Sequence, residues 1–320
     1  MHDFLNDCFL EMIARYHLVK EMLVNHDVDY LFICTSEMYL IDLAREMNVK
    51  SIFLEHAPNF FPVNILGTNT MIPSSELKFP DYIISENQLT SRHWRYQCNQ
   101  LNQSQTQIIE TGLPLDNMIV PNDCVKRDNN MFTIAIFNTW LGMGRFENIF
   151  QNEFKLMTFF DQLFLLLSDL SKIKPLRIIL KNHPKLEQNA YQTRGFYYGL
   201  AKTYSIDEFI ISEDLESTIQ QADLAITLCK SSLLTDLLYA RVPSIIFELY
   251  DDGIYSNFDD FNDIFPIVSS SEDLYLTLKR HMCLQAHGNY RKKLANIHQK
   301  FDLRLRSVDE KCHKLIDFLA

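Results

Sequence analysis

Arg177-Ile178-Ile179-Leu180-Lys181-Asn182-His183-Pro184 and Asp223-Leu224-Ala225-Ile226-Thr227-Leu228-Cys229-Lys230-Ser231-Ser232 are two apolar runs that each end in polar residues. The second leads into a helical stretch, Leu233 to Ala240, and then into another apolar run, Val242 to Phe247. Short apolar runs alternating with helical segments predict parallel strands joined by crossover helices. In such sheets ligands bind outside the carboxyl ends of the strands. His183, Thr227, Lys230, Ser231 and Ser232 fall there. A helix start with unsatisfied N–H groups, two hydroxyls, one or two lysines and a histidine suits a phosphate. Each motif also has an ordinary alternative. Serines cap many helices, and a histidine after a strand can be satisfied by nearby backbone.

Working outward, Phe132 to Phe137 reads as a strand that ends at Asn138-Thr139, followed by a helix over about 151–170. Before it, residues 117–130 are polar and contain Pro121, Lys126, Arg127 and Asp128, the composition of a linker. The expected division is therefore an N-terminal half, 1–125, and a C-terminal half, 126–320. In the first half, residues 2–24 have helical apolar spacing. Strands follow at 29–35, 50–54, 81–85 and 107–110, with helices at 36–47 (capped by Ser36) and 87–100. The strand at 50–54 ends in Glu55-His56, where a histidine or carboxylate could take a proton from a hydroxyl. The competing reading is an ordinary polar loop. Past residue 253 come a last strand at 265–268, a helix at 272–284 and a helical remainder at 290–319.

Composition narrows the chemistry. The 320 residues carry a formal net charge of -11 with a sequence pI near 5.4, which argues against a nucleic-acid partner. Seven scattered cysteines with no Cys-x-x-Cys pair point to reduced thiols in a cytoplasm. With 8 glycines, no Gly-x-Gly-x-x-Gly run and no Walker-type loop, a dehydrogenase or nucleotide hydrolase is disfavoured. Asp251-Asp252-Gly253 lacks the neighbours of a calcium loop, and no zinc-type spacing occurs, so no metal site is expected. No stretch has the length of a transmembrane helix, so any membrane association is peripheral.

His183-Pro184 and the later Ser231-Ser232 pair resemble marks of GT-B-type glycosyltransferases. They are most similar to bacterial capsule, teichoic acid and lipooligosaccharide enzymes: sialyl-, polysialyl-, Kdo- and polyol-phosphate transferases. Ala222-Asp223-Leu224, Ala240-Arg241-Val242-Pro243 and Glu110-Thr111-Gly112-Leu113-Pro114-Leu115-Asp116 extend the likeness. The resemblance implies an α/β fold of two Rossmann-like halves facing across a cleft; the N-terminal half, 1–125, departs from it in being short. It implies a metal-independent enzyme with no cofactor, moving a sugar from a CMP- or CDP-linked donor to a glycan or lipid-linked acceptor in the cytoplasm or at the inner membrane face. His183, Pro184, Lys181, Thr227, Lys230, Ser231, Ser232, Asn138 and Thr139 would hold the donor, His183 also acting in catalysis. His56, with Glu55 second, would be the base. In the sialyltransferases an Asp/Glu-Asp-Gly motif precedes His-Pro; here Asp251-Asp252-Gly253 follows the serines, so that role does not transfer. A sugar-nucleotide epimerase of the same build and a non-catalytic glycan- or partner-binding member are the alternatives.

Overall fold

The apolar runs of the first half form four parallel strands. The computed structural model describes residues 2–33, 39–54, 79–100, 102–112, 131–138, 149–183, 190–228, 233–249, 264–300 and 308–319. Helix α1 (His2–Asn25) precedes β1 (Tyr30–Ile33), α2 (Leu40–Glu46), β2 (Lys50–Leu54), β3 (Tyr82–Ile84), α3 (Gln88–Gln100) and β4 (Gln107–Ile109). The strands lie in chain order, β1-β2-β3-β4, and every pairing is parallel. Ser36 falls outside the described residues; α2 is preceded by Tyr39, which makes no side-chain cap. On α1 only part of the apolar stripe finds a core. Leu23 is buried and Tyr16 and Val19 pack against it, whereas Leu10, Leu18, Met22 and Val24 are exposed.

The second half is a six-stranded parallel sheet. Its elements are β5 (Phe132–Phe137), α4 (Ile149–Ser171), β6 (Leu176–Lys181), α5 (Ala190–Thr203), β7 (Glu208–Ser212), α6 (Leu215–Gln221) and β8 (Leu224–Leu228). They continue with α7 (Leu233–Tyr239), β9 (Ser244–Phe247), β10 (Ile267–Val268), α8 (Ser271–Met282) and α9 (Leu284–Lys300). The order is β10-β9-β8-β5-β6-β7. β5 and β8 are buried at every position, the mark of central strands covered on both faces. β6 and β8, the two strands of the opening motifs, are not neighbours; β5 lies between them. Side chains alternate across the pleat. Phe132, Ile134 and Ile136, together with Ile178, Leu180 and Ile226, join Phe160 and Phe164 of α4 and Tyr197 of α5 in one core. The opposite face carries α6, which lies against β5 and β6.

By packing, residues 1–116 form one unit with 306–320, and 117–305 form the other. The last residues, assigned to the second half from their place in the chain, thus belong to the first. The helical remainder is two helices, α9 and α10 (Val308–Leu319), and α10 covers the first sheet. Leu315 packs on Ile52 and Ile84, and Phe318 meets the Tyr82 ring edge-on at 5.3 Å. Lys311 Nζ reaches Glu86 Oε1 at 2.8 Å, both side chains being buried. Gly112, at φ +90, leaves the room for it: a Cβ there would lie 2.8 Å from Lys311 Cγ.

Candidate functional site

In the second sheet the chain runs from β5 outward to β6 and β7, then returns to the other side of β5 as β8. That reversal is a topological switch point, and in open parallel sheets the crevice outside the strand ends at such a point is where ligands bind. The residues ending the flanking strands are Asn138 after β5 and Thr227 near the end of β8, with Lys181, Asn182 and His183 closing β6 beside them.

Register sorts these residues by face. Lys181 and Thr227 are both paired with Phe137, on either side of β5, so they share one face of the sheet. Both are buried, at 7% and 1% exposure. Lys181 Nζ donates to the carbonyl of Asn182 at 3.1 Å. Thr227 Oγ1 has no hydrogen-bond partner among the described residues. A buried hydroxyl without a partner costs on the order of 1–3 kcal/mol, so this one marks a place where a ligand oxygen would be welcome.

The other face holds a buried polar group. Asn138 Nδ2 donates to Asn182 Oδ1 at 3.1 Å and to Tyr197 Oη at 2.8 Å, and all three residues are buried. The Asn138 backbone N–H donates to the Lys181 carbonyl at 2.9 Å, extending the β5–β6 ladder to the strand ends. Burial pushes the Tyr197 phenol far above its ordinary range, outweighing the hydrogen bond from Asn138 that favours ionisation, so the group stays neutral.

Of the residues expected from sequence, the structure brings together Asn138, Lys181, Thr227 and the partly buried His183 at the carboxyl edge. Glu55, His56, Thr139, Pro184, Lys230, Ser231 and Ser232 lie outside the described residues. Asn182 and Tyr197 were not anticipated. Asn182 stands inside the quoted motif, where the flanking lysine and histidine draw attention first. Tyr197 carries no sequence signal, because a helical tyrosine reads as core. Among the described residues no cluster of three or more His, Cys, Asp or Glu side chains is placed to hold a metal ion. Among them, too, no helix is long and apolar enough to cross a membrane.

No family model matches the chain, and no curated sequence matches it. Solved structures do. An α,α-trehalose 6-phosphate synthase from Burkholderia multivorans superposes with a TM-score of 0.58 at 10% identity, over 96% of this chain and 74% of that one. A putative UDP-N-acetylglucosamine 2-epimerase from Listeria monocytogenes gives 0.57 at 10% identity, over 88% and 73%. A UGT transferase from Siraitia grosvenorii in complex with UDP gives 0.55 at 10% identity, over 96% and 86%. At this identity the likeness is one of fold: an α/β protein of two Rossmann-like halves, of the GT-B kind.

Proposed function

We propose that the protein is a glycosyltransferase that moves a sugar from a nucleotide-sugar donor to a glycan or lipid-linked acceptor. The observation that carries this reading is the buried Thr227 hydroxyl, unpartnered among the described residues, at the switch point of a sheet whose fold is shared with nucleotide-sugar enzymes. In the proposed reaction a base, His56 or else Glu55, takes the acceptor hydroxyl proton as that oxygen attacks the anomeric carbon. The bond from that carbon to the phosphate oxygen breaks and its electron pair leaves with the phosphate. His183, Lys181, Thr227, Lys230, Ser231 and Ser232 stabilise the departing charge, and Pro184, Asn138 and Thr139 complete the donor-binding set. Transfer then needs no metal and no resident cofactor, since the nucleotide sugar is itself consumed. The His-Pro and Ser-Ser motifs favour a CMP- or CDP-linked donor, while the Siraitia structure holds UDP. The acceptor class implied is a bacterial surface glycan, approached from the cytoplasm.

A thermal-unfolding panel with UDP, CDP, CMP and GDP tests the reading. At least one nucleotide should raise the unfolding midpoint of the wild type, and the rise should shrink in Thr227→Val. No shift with any of the four ends the proposal. The Listeria likeness keeps a second reading, a sugar-nucleotide epimerase. Release of an altered nucleotide sugar with no acceptor present, followed by NMR, would select it.

A further inference from the structure

Residues 274–300 hold Lys279, Arg280, Arg291, Lys292, Lys293 and Lys300 and not one aspartate or glutamate. They carry +6 in a chain whose formal net charge is -11, so the remainder (-11 less +6) carries -17. The stretch forms most of α8 and the whole of α9, which pack together through the His281 and Tyr290 rings, centroids 4.0 Å apart. Leu274 and Leu278 of α8 and Leu294 of α9 are fully buried, which turns Lys279, Arg280 and Lys292 to the outer faces, where all three are exposed. None of these three forms an ion pair with a described residue; Lys279 Nζ stands over the Tyr275 ring at 5.9 Å, which leaves its charge uncompensated. The acids of α8, Glu272 and Asp273, lie back toward its start, about 10 Å along the axis, where Asp273 is held in the Ser270 cap. Cations in a last turn complement the helix dipole. That accounts for Lys279 and Arg280 but not for Lys292, in the middle of α9. At physiological salt, charges more than about 8 Å away are largely screened. An anionic surface resting on this face therefore meets its cations and not the acidic remainder. Leu276 is 53% exposed and precedes Lys279 and Arg280 by three and four residues, so it shares their face. An apolar side chain among cations is of use at a bilayer, where it enters the boundary between headgroups and acyl chains. A sugar-phosphate backbone offers it nothing comparable.

We propose that the outer faces of α8 and α9 are a docking surface for an anionic lipid bilayer, with Lys279, Arg280 and Lys292 drawn to its headgroups and Leu276 entering between them. The test is co-sedimentation of the full chain with vesicles, one set of phosphatidylcholine alone and one of equal parts phosphatidylcholine and phosphatidylglycerol. No nucleotide is added, so the result is independent of the donor site. The wild type should sediment with the mixed vesicles, stay in solution with phosphatidylcholine alone, and be released as salt rises from about 0.1 M to about 0.5 M. A cation near such a surface contributes about a five-fold gain in binding. The triple variant Lys279→Gln, Arg280→Gln, Lys292→Gln should therefore bind roughly a hundred-fold more weakly, with an unfolding midpoint close to wild type. Leu276→Ser should bind several-fold more weakly and keep the salt dependence. A control triple, Lys155→Gln, Lys172→Gln, Lys202→Gln, makes the same change of net charge at exposed positions on α4, the turn after it and α5, and should bind as wild type does. Failure of the wild type to bind the mixed vesicles overturns the proposal. So do equal binding to both vesicle types, wild-type affinity in the first triple variant, or an equal loss in the control triple. A single-stranded RNA that binds the wild type more tightly than the vesicles do, and is lost in the first triple variant, would make nucleic acid the partner and overturn the proposal as well.

Discussion

The described carboxyl edges of the two sheets both carry buried polar residues and use them differently. In the first unit the polar residues after β3 and β4 answer one another. Ser85 and Ser91 share a 2.5 Å hydrogen bond, Asn87 Oδ1 accepts from the backbone of Leu89 and Thr90 at the start of α3, and Glu86 is paired with Lys311. In the second unit one buried hydroxyl, that of Thr227, is left without a partner among the described residues. The strand orders differ in the same sense. The described strands of the first sheet step one way across it, whereas those of the second reverse beside β5. A protein tolerates an unanswered buried hydroxyl where something else will answer it, and polar edges that satisfy themselves serve the fold.

Substitutions can break this contrast, and the largest effect should fall on the self-satisfied edge. Lys311→Ala leaves Glu86 buried without its ammonium partner and should cost about 3–5 kcal/mol in denaturant unfolding, while Lys311→Met combined with Glu86→Gln should recover much of it. A loss below ~1 kcal/mol in the single variant would show that the pair does not hold α10. On the other edge His183→Ala should lower turnover by roughly a hundred-fold, with a far smaller change in stability; wild-type turnover would remove His183 from the mechanism. The sharpest pairing sets Ser91→Ala against Thr227→Val. The first should lose about 1 kcal/mol of stability and no nucleotide affinity. The second should keep its stability or gain ~1 kcal/mol, because a methyl replaces an unsatisfied hydroxyl, and should bind nucleotide less well. The opposite assignment of effects would dissolve the comparison.

The smallest effect concerns pH. Burial alone would push the Asp81 carboxyl up, but hydrogen bonds from Ser51 N at 2.9 Å, Ser51 Oγ at 2.8 Å and Lys50 Nζ at 3.3 Å outweigh it and hold it below the usual aspartate value. A depressed carboxyl stabilises the fold above its unfolded pKa, near ~3.9, and that contribution fades as pH falls through the lower folded value. Asp81→Asn should therefore be less stable than wild type at neutral pH and lose less on acidification, read from unfolding midpoints between neutral and strongly acid pH.

Much of this was legible in the sequence, for a local reason. Phe132–Phe137 and Leu224–Leu228 announce buried strands because an unbroken apolar run bounded by polar residues has few other uses. The polar residues that end them announce a site because strand ends in parallel sheets are where sites form. The rest depends on what meets what in space. That β5 separates β6 from β8 is a matter of strand order, which no local pattern encodes. Lys311 looks like a surface lysine until Glu86, from the far end of the chain, is set beside it. Tyr197 is one aromatic among many until Asn138 lies 2.8 Å from its hydroxyl.

The return of α10 to the first unit has a consequence for biosynthesis. On a ribosome β1 to β4 emerge early, yet the helix that roofs Ile52, Tyr82 and Ile84 follows only after residues 117–305 have been translated, about 10–40 s later at ordinary elongation rates. During that interval the nascent first unit has an open apolar flank, and Glu86 lacks Lys311. The second unit, whose residues are contiguous, is free to fold ahead of the one that precedes it.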